Sequence, residues 1–375
     1  MPASASASLY LGLISGTSAD GIDAALVRFE PRFEVVAAQT FAYPMRLRER
    51  IVALARSAAQ IALDDYGRLD VEIGTCFADA ANTLLHNAAV AAFEVAAIGS
   101  HGQTVCHRPG GSHPFSLQIG DPSVIAERTG ITTTADFRRG DVAAGGQGAP
   151  LLPALHAALF GDARIPRAVL NLGGIANATL LRPGNDVVGF DTGPANCLLD
   201  AWAACHLGTA RDESGAWAAS GKVRGDLLEA WLQEPYFAEP PPKSTGREHF
   251  NLDWLDMRLP SDVAAADVQA TLLALSARTI ADALRASGAH EVYACGGGVH
   301  NATLMAALRA ELPNLRFDTT TALGLDPDFV EAAGFAWLAR ARMDGLPGNL
   351  PSVTGARGLR VLGAIYAAPS LPRSR

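Results

Sequence analysis

Three glycine-bearing turns in this 375-residue chain carry residue types that grip phosphate: SGTSADGID (15–23), NLGGIAN (171–177) and ACGGGVHN (294–301). With no side chain in the way, backbone N–H groups in such turns converge on phosphate oxygens, and the hydroxyls of Thr17 and Ser18 add donors. Each turn alone reads equally as a hairpin or a helix entrance. Their placement at the heads of two halves and after a late strand points to a nucleotide. Asp191 ends the apolar run VVGF and precedes Thr192-Gly193-Pro194, which sets a carboxylate at a strand end, where ligands of α/β sheets collect. Its competing role is an N-cap for the helix expected to open at Gly193-Pro194. Phosphoryl transfer asks for positioning, a magnesium ion, charge stabilisation on the phosphate and one base, with no covalent nucleophile.

Other polar residues stand near these turns. Asp20 and Asp23 lie inside the first loop, where a carboxylate repels phosphate unless a metal or water intervenes, so each either orients hydrated magnesium or closes the turn. His101 and Gln103 follow one strand end and Asp136-Phe137-Arg138 follows another. An arginine there is a fork for a carboxylate, unless a salt bridge to Asp136 or Asp141 engages it. Glu331, in DPDFVEAAGFAWLA, reads by pattern as a solvated glutamate on a helix whose other face is apolar. The P-loop, dinucleotide, zinc-protease and nucleophile-elbow signatures are absent.

The elements that must position these groups repeat a plan. Strands are expected at Leu9 to Ile14, Ile22 to Phe29 and Phe33 to Tyr43, then helices at Met45 to Ala62 and Asp65 to Glu94. A buried strand at Val95 to Ser100 ends in HGQT. A short one at Phe115 to Ile119 leads to a helix start at Asp121 and Pro122. Near Ala168 the plan begins again with AVLNL, the GGIAN turn, ATLL and VVGF. A polar, proline-containing stretch (Glu234 to Arg258) precedes a long helix at Asp262 to Ser287, the strand VYAC and a helix after Asn301. Two halves that open with a strand hairpin and continue as βα units imply two α/β domains facing a cleft. The expected division is residues 1–135 plus 340–375 against 136–339, with the late run GLRVLGAIY buried on the first domain.

Composition narrows the class. Hydrophobic residues at 49% and charged residues at 18% are globular values. A net charge of -8 argues against holding nucleic acid by its phosphates, and no apolar run approaches the ~18 residues that span a bilayer. The N-terminal segment lacks a basic n-region, so a cytoplasmic location is expected. Five scattered cysteines without C-x-x-C read as buried thiols, not as a disulfide framework or zinc site.

The motifs GLISGTSADGID (12–23), GSHGQTVCHRP (99–109), QIGDPSVIAERTG (118–130), DFRRGDVAAGGQGAPL (136–151), NLGGIAN (171–177), GFDTGPANCLLD (189–200), PPKSTGREHFN (241–251) and CGGGVHN (295–301) span most of the chain. In combination they resemble the anhydro-N-acetylmuramic acid kinase family of the actin, hexokinase and Hsp70 superfamily. Ile14 stands where the family pattern usually has methionine, and Ala195 is one of the small residues its DTGP-[AG]-N pattern allows. The resemblance implies a two-domain actin/hexokinase-like (ribonuclease H-like) α/β fold with an ATP cleft between the domains. It implies Asp191 as the catalytic base. ATP would be held by Gly16, Thr17, Ser18, Ala19, Asp20, Gly21, Ile22 and Asp23, by Gly173, Gly174 and Asn177, and at the adenosine by Gly296, Gly297 and Gly298. The sugar would meet His101, Gln103, Asp121, Arg138 and Glu331. Mg2+ would bind through water, at Asp20 or Asp191.

The implied reaction hydrolyses the internal ether of 1,6-anhydro-N-acetylmuramic acid and phosphorylates O6 with ATP, in peptidoglycan turnover. The partners are then small molecules, with no nucleic acid or membrane, and a homodimer is allowed. Another sugar kinase of the superfamily would differ in pocket contacts. A noncatalytic sugar-responsive regulator with a DNA-binding headpiece is disfavoured by a first strand that begins at Leu9 and by the presence of Asp191.

Overall fold

Apolar runs broken by glycine and proline turns form twelve strands in the computed structural model, which describes residues 8–16, 19–56 and 61–369. They are β1 (Leu9–Ser15), β2 (Ile22–Arg28), β3 (Glu34–Phe41), β4 (Val95–Arg108), β5 (Phe115–Ile119), β6 (Thr133–Ala135), β7 (Arg167–Leu172), β8 (Ile175–Leu181), β9 (Val188–Pro194), β10 (Glu291–Cys295), β11 (Arg316–Thr319) and β12 (Ala364–Tyr366). The chain divides into two units, one holding residues up to 155 and from 329 onward, the other residues 156–328.

Both units are built on one sheet plan. In the first, β1, β2 and β3 form an antiparallel meander, and β4 and then β6 add parallel to β1, giving the order β12-β6-β4-β1-β2-β3 with β5 on the far end of β4. The second repeats this as β11-β10-β7-β8-β9, with β7 to β9 antiparallel and β10 and β11 parallel to β7. Parallel neighbours require helical crossovers on the sheet faces, so the central strands are buried on both sides. All seven residues of β1 are buried, whereas the edge strand β3 is largely solvated. The duplicated plan is the ribonuclease H-like arrangement, and the late run joins it in the first unit, where β12 pairs antiparallel with β6.

Local boundaries depart from the sequence expectation where a glycine redirects the chain. Val95 to Ser100 does not stop at HGQT. Gly102 takes φ +71, and β4 runs on to Arg108, its pairing passing from β1 to β5 at Gln103. The helix expected at Gly193-Pro194 opens at Asn196 instead, because Gly193 (φ +146) keeps the chain extended to the end of β9. The second long helix covers Leu63–Asn87, and the 265–287 helix begins three residues later than expected. Of the cysteines, Cys197 and Cys295 are buried and Cys205 is exposed.

The unit division also falls elsewhere than at 135 and 340. Asp141, fully buried, accepts hydrogen bonds from Gly148 N (2.8 Å), Asn349 Nδ2 (2.7 Å) and Thr354 Oγ1 (2.7 Å), tying 137–155 to the C-terminal segment. The helix Val330–Met343 lies directly on β1 and β4 of the first unit. Two glycines allow that approach, since a Cβ on Gly12 would collide with the Ala332 carbonyl and one on Gly99 with the Phe335 carbonyl. The helix meets them at Ala332, Ala336 and Ala339. Because this helix carries Glu331, Gly99→Ala is expected to lower stability by about 1–3 kcal/mol through overpacking. Urea denaturation checks this, and an unchanged midpoint would contradict the close-packing assignment.

Candidate active site

In the second unit, Asp191 lies within β9, opposite Asn177 of β8 beside a bulge, and not at a helix N-cap. Its backbone N–H donates to Lys243 O (3.0 Å), and its carbonyl accepts from Tyr236 Oη (2.8 Å). Its carboxylate Oδ2 accepts from Thr245 N (3.0 Å) and Ser244 Oγ (3.1 Å). Oδ1 accepts no hydrogen bond among the described residues. Burial pushes the carboxyl above its ordinary pKa, the Thr245 and Ser244 donors pull it back, and Glu248 pushes it up again. The result is a carboxylate more basic than a solvated one, with one oxygen open. The stretch that holds it is the polar, proline-containing run at 234–258. It carries the short helices Pro235–Ala238 and Leu252–Asp256, anchored by stacked Phe237 and Phe250 (5.5 Å between centroids) and by buried Tyr236 and Trp254.

The glycine turns of this unit differ in what they offer. Gly173 O accepts Asn196 N (3.1 Å), and Gly174 O accepts Ala195 N and Cys197 N (3.0 Å each), so the helix Asn196–Leu207 has its first N–H groups occupied. The N–H groups of Gly173 and Gly174 carry no hydrogen bond among the described residues, which leaves the turn itself as the donor surface. Gly296 (φ +81) and Gly298 are packing glycines, where a Cβ would strike Asn171 and Leu172 respectively. Gly297 alone faces open space. It borders a cavity of about 130 Å³ with Asn196, Asp200, Arg211, Glu213 and His300. Asp200 and Asn196 lie inside a motif singled out in the sequence, while Arg211 and Glu213 had no signal beyond being charged.

The first unit gathers a second cluster. Arg138 Nε donates to His101 Nε2 (3.0 Å), and its Nη1 donates to Gly148 O (2.7 Å). With a guanidinium N–H pointing at Nε2, the imidazole proton sits on Nδ1, which donates to Gly102 O (3.0 Å). Burial and the Arg138 charge hold His101 well below the usual imidazole range, so it is neutral. Neither expected salt bridge forms: Asp136 pairs with Arg139 (3.5 Å), and Asp141 accepts the bonds described above. Arg138 faces Glu331 instead. Glu331 is half-buried, not solvated, and its carboxyl is pushed up by burial, pulled down by Arg138 and pushed up by Asp23. A cavity of about 180 Å³ lies beside this cluster, lined by Tyr66, Asp70, Gln118, Asp136, Arg139 and Tyr366.

Other expected contacts have structural employment. Gln103 is fully buried, accepting from Ser15 Oγ (2.6 Å) and donating to Gly16 O (3.1 Å), so it braces the turn after β1. Asp121 caps the helix Pro122–Thr129 through Ser123 N (2.8 Å). Ile22 is a fully buried core residue, which leaves only its backbone near the loop. Asp20 pairs with Arg48 (2.6 Å), and Asp23 accepts from Thr40 Oγ1 (2.6 Å). Ala19 takes φ +51, and Gly21 packs on Phe41. Thr17 and Ser18 lie outside the described residues. Among those described, no three His, Cys, Asp or Glu side chains cluster as a metal site, and no helix is long and apolar enough to cross a membrane.

The Ser244 bond yields a test. It favours the charged form of Asp191, so Ser244→Ala raises the Asp191 pKa, and the base is protonated sooner as pH falls. The acidic limb of kcat/KM against pH is therefore expected to move to higher pH. A limb that stays put or moves down would contradict Asp191 as the titrating base.

Comparison with known proteins places the chain. The family model described as anhydro-N-acetylmuramic acid kinase matches residues 8–368. The anhydro-N-acetylmuramic acid kinase of Xanthomonas campestris pv. campestris (strain 8004) is 58% identical over 367 residues, covering 96% of this chain and 97% of that protein. The enzyme of the same name from Coxiella burnetii (strain Dugway 5J108-111) is 49% identical over 362 residues, covering 95% and 97%. Among solved structures, (R)-2-hydroxyglutaryl-CoA dehydratase component A of Acidaminococcus fermentans aligns over 90% of this chain and 99% of that one, at 14% identity and a TM-score of 0.47. With a family model matched over nearly its whole length and relatives near half identical across it, the chain belongs to the anhydro-N-acetylmuramic acid kinase family.

Proposed function

We propose that this kinase opens the internal ether of 1,6-anhydro-N-acetylmuramic acid with water and phosphorylates the freed O6 with ATP, giving N-acetylmuramic acid 6-phosphate and ADP. Family membership supports the substrate, and the observation that supports the chemistry is Asp191 with Oδ2 clamped and Oδ1 open. In this reading Oδ1 takes a proton from the water that attacks the anomeric carbon. The C1–O6 bond breaks and O6, carrying the electron pair, attacks the γ-phosphorus. One base thus serves both steps, and holding the reacting groups together replaces an encounter in solution.

The remaining residues take supporting roles. Arg138, dehydrated and kept in place by His101 and Gly148, offers its fork to the lactyl carboxylate, with Glu331 beside it as a sugar contact. The cavity at Gly297 accepts adenosine, and the turn at Gly173 and Gly174 the phosphates. Magnesium carried on the nucleotide neutralises phosphate charge. Magnesium held by phosphates keeps several of its waters, and Asp20 or Asp191 would meet it through one of them. The enzyme would act in the cytoplasm on products of peptidoglycan turnover. A homodimer is compatible with this scheme, and every contact in it comes from one chain.

Two outcomes are expected. Asp191→Asn keeps the size of the side chain and removes the base, so steady-state turnover should fall on the order of 100-fold or more while nucleotide binding, measured by calorimetry, survives. In heavy-oxygen water, mass spectrometry of early-quenched product should find label at the anomeric position and none in the P–O–C6 bridge or the transferred phosphoryl group. The first-formed sugar should be a single, inverted anomer. An unlabelled anomeric oxygen would return the chain to ordinary sugar phosphorylation.

A further inference from the structure

The loop that clamps Asp191 also carries two cations, and only one of them has a structural task. Lys243 Nζ donates to the carbonyls of Tyr236 (2.9 Å) and Phe237 (3.1 Å), and it lies over the Tyr236 ring at 4.6 Å. Burial among these groups holds its ammonium below the usual range, and it is committed to the loop's own shape. Arg247 is different. It is exposed and makes no hydrogen bond or ion pair among the described residues. Its Nε and one terminal nitrogen each stand 2.8 Å from where a Cβ on Gly174 would be. The guanidinium therefore sits on the glycine turn whose N–H groups are open, two residues after the Thr245 amide that holds Asp191.

Resting on the kinase reading above, we propose that Arg247 is a catalytic residue that binds the γ-phosphoryl group over the Gly173-Gly174 turn and stabilises its charge during transfer. In that step the O6–P bond forms, the bond from γ-phosphorus to its bridging oxygen breaks, and the electron pair leaves on the β-phosphate oxygen of ADP. Arg247 stays protonated throughout and acts as a cation, with no proton to move. Such a cation is most effective when fixed before the reaction, because no solvent reorganisation is then needed as charge moves. The loop provides this fixing: Thr245 and Ser244 hold the base while Arg247 holds the electrophile, so both reacting partners are set by one short segment. Gly174 is the necessary complement, since any side chain there would displace the guanidinium.

The test compares full-length Arg247→Ala, Arg247→Gln and Arg247→Lys with the parent enzyme. Arg247→Ala should lose on the order of 100- to 1,000-fold in kcat, as when other preorganised donors are removed, with the KM for the anhydro-sugar within about threefold. Added guanidinium should restore part of the rate in Arg247→Ala, and the acidic limb of the pH profile should stay where the parent has it. Lysine, a point charge without the fork, should restore only part of kcat. A kcat within about threefold of the parent would overturn the proposal. So would a large loss that guanidinium fails to rescue and that comes with a shifted acidic limb, because that marks a loop support for Asp191. A second readout does not depend on the sugar. The parent should bind a non-hydrolysable ATP analogue more tightly than ADP, and Arg247→Ala and Arg247→Gln should erase that preference while leaving ADP affinity within about threefold. If the parent failed to consume the anhydro-sugar yet the preference vanished in the variants, the substrate reading would fall and the assignment of Arg247 would stand. A preference unchanged in both variants would refute it.

Discussion

The base chemistry proposed for this chain depends on two hydrogen bonds to one carboxylate oxygen. A base that must take a proton from water needs to be more basic than a solvated aspartate, and burial provides that by penalising the charged form. Burial alone would push the carboxyl further up than it stands. The Thr245 amide and the Ser244 hydroxyl on Oδ2 set the balance, and each pKa unit they return corresponds to about 1.36 kcal/mol of preference for the charged form. The same two bonds fix the rotation of the carboxylate and leave Oδ1 without a hydrogen bond among the described residues. The aromatic layer beneath the loop holds this arrangement from below, with Tyr236 bonded to the Asp191 carbonyl and Phe250 stacked between Phe237 and His249.

A different balance operates in the first unit. Arg138 is dehydrated, and its compensation comes from His101, a backbone carbonyl and the field of Glu331. A dehydrated cation with imperfect pairing is costly. The placement of Glu331 is a packing result. The helix that bears it can lie this close to the sheet only because Gly12 and Gly99 lack side chains and the helix presents alanines to them. Stability and site geometry in this unit therefore rest on the same contacts.

Much of this was legible in the amino-acid sequence. The two hairpin starts and the helix start at Asp121 followed from apolar runs and turn residues and stand in the structure at the expected place, while the strand carrying Asp191 runs three residues past it to Pro194. What stayed hidden is long-range. Gln103 showed in the sequence only as a polar residue after a strand end, and only the fold brings Ser15 and Gly16 to it. Glu331 looked solvated because helical periodicity does not register a neighbouring element that covers the polar face. The unit division was misplaced because Asp141 bonds to residues more than 200 positions away. Residues 234–258 read only as a polar, proline-containing stretch because their aromatics follow no regular period, although they fold over β9 and carry Ser244, Thr245 and Arg247.

The central claim is that one carboxylate drives ether opening and phosphoryl transfer as a single coupled event. Rapid-quench analysis of a single turnover, following ADP, the phosphorylated product and any ring-opened unphosphorylated sugar, tests it most directly. The account predicts that ADP and the 6-phosphate appear one to one with a common rate constant, and that free N-acetylmuramic acid never accumulates. Build-up of the unphosphorylated sugar ahead of ADP, or ADP released in excess of product, would contradict it.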